Sequence, residues 1–200
     1  MKKLFSVLAL LGLIVSAPAF ADVKVGEVAP DFTAKDSAGK EHKISALKGK
    51  IVVLEWTNPG CPFVKKHYGS KNMQNLQKYA KEKGAVWLSV NSSAKGKEGN
   101  VNAEEENKII KEQGSNADGV ILDEEGTIGK LYGAKTTPHM FVIDKENKIA
   151  YMGAIDDKSS VDAEEVKTAH NYVKEAIDAL VAGKTPAKQV TTQYGCSVKY

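Results

Sequence analysis

The chain has 200 residues, 28 basic and 25 acidic, for a net charge of +3. That length supports one domain with a substantial core. The nearly balanced charge, with no basic patch and no acidic tail, excludes a nucleic-acid partner recruited by bulk electrostatics. Every basic residue is a lysine, and there are two cysteines, Cys61 and Cys196, so a single intramolecular disulfide is available.

The opening MKKLFSVLALLGLIVSAPAFA predicts a cleavable signal peptide over residues 1–21. Lys2 and Lys3 start it, an apolar run follows, and Ala19-Phe20-Ala21 offers a small-x-small cleavage site. Asp22 comes next, so no lipid-anchored cysteine is expected. The expectation is export to the periplasm, a mature chain of residues 22–200, and no membrane association of that form. No second apolar stretch of about 20 residues follows.

"APDFTAKDSAGKEHKIS" predicts two short strands around a Ser-Ala-Gly turn. "KIVVLEWT" (50–57) predicts a buried strand that stops at Asn58-Pro59-Gly60. From Pro62 to about Lys83 the period becomes helical, with Gly69 weakening the middle. "AVWLSVN" (85–91) predicts the next buried strand. Asn102 with Glu105 forms a capping-box pattern that opens a helix to about Gln113. "GVILD" (119–123) predicts another strand, and "HMFVID" with "KIAYMG" predicts a hairpin. A last helix is expected from Asp162, with Glu165 as box partner, to Gly183. Its apolar line is Val166, Ala169, Val173, Ile177 and Leu180. Residues 184–200 form a tail without strong periodicity, and Cys196 lies in it. Strands alternating with helices predict an α/β sandwich, with Cys61 at the C-terminal edge of the central strand.

The residues around Cys61, "WTNPGCPFVKKHY", predict a reactive thiol. Pro62 suits the first position of a helix, which leaves Cys61 at or near the N-cap. The unpaired N–H groups and partial positive charge there favour thiolate. Lys65, Lys66 and His67 stand within the next two turns and add to the same effect. A Gly-Cys-Pro junction between strand and helix argues against a buried, inert cysteine. In "KTTPHM" (135–140), Thr137-Pro138 stands just before a strand, where a cis proline would hold a tight bend and leave a backbone edge free for a disulfide substrate. An ordinary trans proline fits the same residues.

From about Val25 to Leu180 the chain resembles the thioredoxin-like superfamily. It is most similar to the branch shared by secreted thiol–disulfide proteins and the alkyl hydroperoxide reductase/thiol-specific antioxidant (peroxiredoxin-like) redoxins. "GEVAPDFTAKDSAGKEHKISALKGKIVVLEWTNPGCPF", "GAKTTPHMFVID" and "GAIDD" carry the resemblance. It implies a thioredoxin-like α/β fold with a central mixed sheet flanked by helices and an N-terminal β-hairpin extension. The redoxin domain would occupy residues 22–183. It also implies that Cys61 is the nucleophile and that Thr137 and Pro138, with Pro138 cis, form the substrate edge facing it. Two departures follow. The second cysteine of a Cys-x-x-Cys motif is replaced by Val64. The peroxiredoxin Thr/Ser three residues before the cysteine is replaced by Asn58, Thr57 stands one place off, and the chain has no arginine to polarise a peroxide.

The expected function is an exported thiol oxidoreductase or antioxidant, with Cys61 as nucleophile and Cys196 as resolving thiol. Gly195 gives the tail backbone room, and Tyr194 and Tyr200 are candidate anchors. Protein disulfides or thiols stand ahead of hydroperoxides as substrate, an external thiol supplies electrons, and no cofactor is required. Two other readings fit the residues. Cys61–Cys196 forms a permanent staple, which by chain entropy contributes roughly 4–5 kcal/mol. Alternatively, the cysteines, with His139 added, bind copper or zinc, or hold a partner protein. His67 is expected at the surface or half-buried, and His42 and His170 at the surface.

Overall fold

The computed structural model describes residues 23–200. The expected signal peptide, residues 1–21, lies outside the described residues. Strands β1 (Thr33–Lys35) and β2 (Glu41–Lys43) form an antiparallel hairpin. The central sheet contains β3 (Val52–Trp56), β4 (Val86–Asn91), β5 (Gly119–Leu122), β7 (His139–Ile143) and β8 (Ile149–Gly153), in the order β5-β4-β3-β7-β8. β3, β4 and β5 run parallel, and β7 and β8 complete the sheet antiparallel. β3 is central and buried along its whole length, so its sequence is an apolar run, interrupted only by Glu55, rather than an alternation.

Each sheet face packs its own core. On one face Val53, Trp87, Met140 and Val142 meet Val64 of α1 (Pro62–Gly69), Met73 and Leu76 of α2 (Asn72–Glu82), and Val173 and Ile177 of α5 (Tyr172–Val181). On the other, Leu54, Trp56, Leu88 and Phe141 meet Phe32, Ile44, and Ile128 and Tyr132 of α4 (Thr127–Tyr132). The alternation of side chains along each strand assigns these faces, and it decides which histidine sees the thiol.

The helix expected over Pro62 to Lys83 is two helices. Lys71 takes a left-handed conformation with φ 64°, which ends one helix and redirects the next. α3 (Ala103–Gln113) starts on the full capping box, with Asn102 Oδ1 accepting from the Glu104 and Glu105 N–H groups and Glu105 accepting from Asn102 N–H.

The helix expected from Asp162 is also divided. Residues Ala163–Thr168 form a 3-10 helix, and α5 starts afresh with Asn171 capping Lys174 N–H. Glu165 is not a box partner, because its carboxylate accepts from the Ser160 hydroxyl. Val166 and Ala169 therefore drop out of the apolar line, while Val173 and Ile177 stay in it. No helix among the described residues is long and apolar enough to cross a membrane.

Candidate active site

β3 ends at Trp56, and residues 57–61 carry the chain to the start of α1. Cys61 is the N-cap residue of α1, in extended conformation, with Pro62 at the first helical position. The loop before it is braced by Asn58, whose side chain accepts from Gly60 N–H at 2.7 Å and donates to Ser93 Oγ and to the Glu98 carbonyl. Asn58 is thus committed to holding the loop.

The Thr137–Pro138 bond is cis. Thr137 O lies 3.0 Å from Cys61 Sγ and accepts from the thiol. The backbone edge beside this proline is not free, as the sequence suggested, but carries the tail. β6 (Thr136–Thr137) pairs antiparallel with β9 (Cys196–Ser197), with Thr137 opposite Cys196. Cys61 and Cys196, 135 residues apart, come to an Sγ–Sγ distance of 2.9 Å as free thiols. Tail and thiol cover one another. Cys61 is only 1% exposed, against the expectation of an accessible junction, because Tyr194 and Cys196 pack on the cluster that contains it.

Both anchors anticipated in the tail are engaged. Tyr200 Oη donates to Ala134 O at 2.8 Å. Tyr194 Oη lies 2.6 Å from Asp156 Oδ1 and 3.0 Å from His67 Nε2. His67 Nδ1 takes a hydrogen bond from the Asn72 side-chain amide at 2.8 Å, so Nε2 carries the proton and donates to Tyr194, which donates to Asp156. The ring of Tyr194 sits 5.8 Å from that of Phe63.

Burial pushes the Cys61 thiol up, but hydrogen bonds at its sulfur, chiefly the one shared with Cys196, bring it below its ordinary value. Cys196 is pushed up to about 11 by burial and by the same hydrogen bond. Of the two, Cys61 is the thiol that loses its proton more readily, and Cys196 the one that holds it. Two other expected contributors supply no charge at the sulfur. Lys66 Nζ is buried and donates to the carbonyls of Lys158 and Ser160. His67 is fully buried, not superficial, and burial lowers it to about 3, so it is neutral.

His139 stacks on Phe141 with centroids 4.5 Å apart, on the face opposite Met140 and the Cys61 core. The Cys61–Cys196–His139 ligand set is therefore not assembled. No group of three or more His, Cys, Asp or Glu suited to a metal occurs among the described residues. His42, expected at the surface, is buried against Asp36 at 2.7 Å, and His170 is exposed, against Glu175.

Glu55 is a further feature that the sequence reading passed over. It is fully buried in the middle of β3, where its carboxylate accepts from Trp87, Ser89 and Tyr68. Burial raises its pKa against these donors. The signal was present as a single acid inside the apolar run "VVLEW". Asp156, in the quoted "GAIDD", is the other missed residue: it is 1% exposed and its Oδ2 has no partner.

Residues 25–152 match the AhpC/TSA family. The chain belongs to that family. Over 149 residues it is 29% identical to the thiol-disulfide oxidoreductase ResA of Geobacillus thermodenitrificans (strain NG80-2), covering 73% of this chain and 80% of that protein. A hypothetical protein of Sinorhizobium meliloti 1021 shares the fold, with a TM-score of 0.74 at 21% identity over 90% of this chain and 96% of that one. A putative thiol:disulfide interchange protein DsbE of Chlorobium tepidum aligns with a TM-score of 0.53 at 26% identity, covering 66% and 85%. The thioredoxin-like redoxin domain expected from the sequence is the fold observed.

Proposed function

We propose that this protein is a thiol–disulfide oxidoreductase in which Cys61 is the nucleophile and Cys196 the resolving thiol. The observation that carries this reading is the 2.9 Å approach of the two sulfurs at the N-terminus of α1. Cys61 thiolate attacks a substrate disulfide, forming a mixed disulfide and expelling one substrate thiol. Cys196 then attacks Cys61 Sγ, releases the second substrate thiol and leaves a Cys61–Cys196 disulfide. An external thiol restores the reduced pair. Thr137 and Pro138 bound the site, and the tail of residues 184–200 is the mobile carrier of the resolving thiol. The ResA and DsbE likenesses favour disulfides as substrate. Hydroperoxide is the lesser substrate, because Asn58 is spent on loop contacts and the chain has no arginine. The expected location remains the periplasm, after removal of residues 1–21.

Cys196→Ser is expected to accumulate a stable mixed disulfide at Cys61, seen as a mass increase by intact-protein mass spectrometry. Turnover unchanged from the parent chain would remove Cys196 from the cycle.

A further inference from the structure

The tail occupies the edge that an incoming disulfide needs. Cys61 is 1% exposed with the tail seated, so no external sulfur reaches it in line until residues 194–197 leave. The walls of the space they would vacate belong to the body of the domain. Phe63, Lys66 and His67 of α1 and Asp156 surround the Tyr194 side chain.

These walls are held without help from the tail. Asn72 fixes His67, two carbonyls fix Lys66, and Lys158 N–H donates to Asp156 Oδ1. His67 Nε2 and the Asp156 carboxylate present one donor and one acceptor to a single hydroxyl. The next position is as restrictive. Gly195 has φ +132°, and a Cβ there would lie 2.2 Å from Thr137 O, so a side chain is excluded sterically as well as by backbone conformation.

We propose that this groove is the docking site for an external protein disulfide, and that it selects an extended segment of the pattern Tyr-Gly-Cys, of which residues 194–196 are the resident copy. This rests on the oxidoreductase reading above. The substrate strand pairs with Thr136 and Thr137 in place of β9, and its cysteine sulfur takes the position of Cys196 Sγ. Cys61 thiolate forms a bond to that sulfur, the substrate S–S bond breaks, and the second substrate sulfur leaves as a thiolate and takes a proton. As the substrate strand departs, Cys196 returns, bonds to Cys61 and releases the bound cysteine as a thiol. Two electrons pass from Cys61 and Cys196 to the substrate disulfide.

The test uses the peptide Gln-Tyr-Gly-Cys-Ser-Val as its mixed disulfide with thionitrobenzoate. Two altered peptides accompany it, one with Ala for Tyr and one with Val for Gly, together with the small-molecule disulfide alone. Release of thionitrobenzoate by the reduced full-length chain is followed, and again with Tyr194→Ala/Gly195→Ala, whose tail cannot seat. The Tyr-Gly-Cys peptide is expected to react about tenfold or more faster than the Ala-for-Tyr peptide, the ratio one good hydrogen bond supplies, and likewise faster than the Val-for-Gly peptide, whose side chain would clash with Thr137 O. The same order is expected in the unaltered chain at a lower rate, because its tail must leave first. Equal rates for all three peptides overturn the docking proposal while leaving the oxidoreductase reading intact. No release from any disulfide, the small one included, overturns both.

Discussion

Tyr194→Phe removes one oxygen and leaves the ring that packs on Phe63. The lost hydroxyl donates to Asp156 at 2.6 Å and accepts from His67 at 3.0 Å, and both partners are almost wholly buried. A neutral hydrogen bond contributes about 1 kcal/mol and one to a carboxylate about 1.5–3, so the seated tail loses roughly 2–4 kcal/mol. That raises the unseated fraction about 30-fold to 1,000-fold. On the proposal that Cys61 becomes reachable when the tail unseats, its alkylation by iodoacetamide passes through the unseated state and tracks that population when reseating is fast. Peptide mapping of the reduced protein should show Cys61 alkylation accelerated by at least about 30-fold over the parent chain, with an unchanged far-ultraviolet circular dichroism spectrum. An acceleration of less than about threefold, worth under 1 kcal/mol, would mean that the hydroxyl does not hold the tail.

The two thiols should titrate separately in thiolate absorbance, Cys61 below its ordinary value and Cys196 near 11. Cys61→Ser should abolish the first step, whereas a single two-proton step at the ordinary value would contradict that order. Glu106, buried and raised to about 7 from 4.5, binds its proton more tightly folded than unfolded. Its contribution is therefore full below the unfolded value and is lost as pH rises through 7. Glu106→Gln should then stabilise the protein by about 3 kcal/mol at pH 8 and change little at pH 4, in urea unfolding at both pH values; equal effects at the two would refute the assignment.

The fold was legible where local signals and tertiary packing agree. The buried runs of β3 and β4, the Asn102 capping box and the hairpin of β7 and β8 announce themselves through composition and caps. The two helix divisions did not. A left-handed Lys71 and the break at residues 169–171 depend on how the segments dock on the sheet, and the apolar period runs through both. The site was half-legible. Gly60-Cys61-Pro62 gives its own location, since a proline after the cysteine sets the helix start. The pairing of β9 with β6 is a contact between residues about 60 apart, and nothing local in "QYGCSVKY" specifies the partner strand. The Asn72–His67–Tyr194–Asp156 chain was hidden for the same reason. It draws single residues from α1, α2, the loop after β8 and the tail, none unusual alone. The side His139 faces was left open by the sequence, because strand alternation fixes a face only once the docking of β7 on the sheet is known.

The central claim is that Cys61 and Cys196 form a reversible redox pair. Its most direct test is the midpoint potential of the purified protein, with mass-spectrometric mapping of the oxidised form. The account predicts a Cys61–Cys196 disulfide with a midpoint between about −120 and −270 mV, the range of working dithiol oxidoreductases. A bond that stays oxidised below about −300 mV would mark a structural staple, and two thiols that stay free under oxidant would contradict the pair altogether.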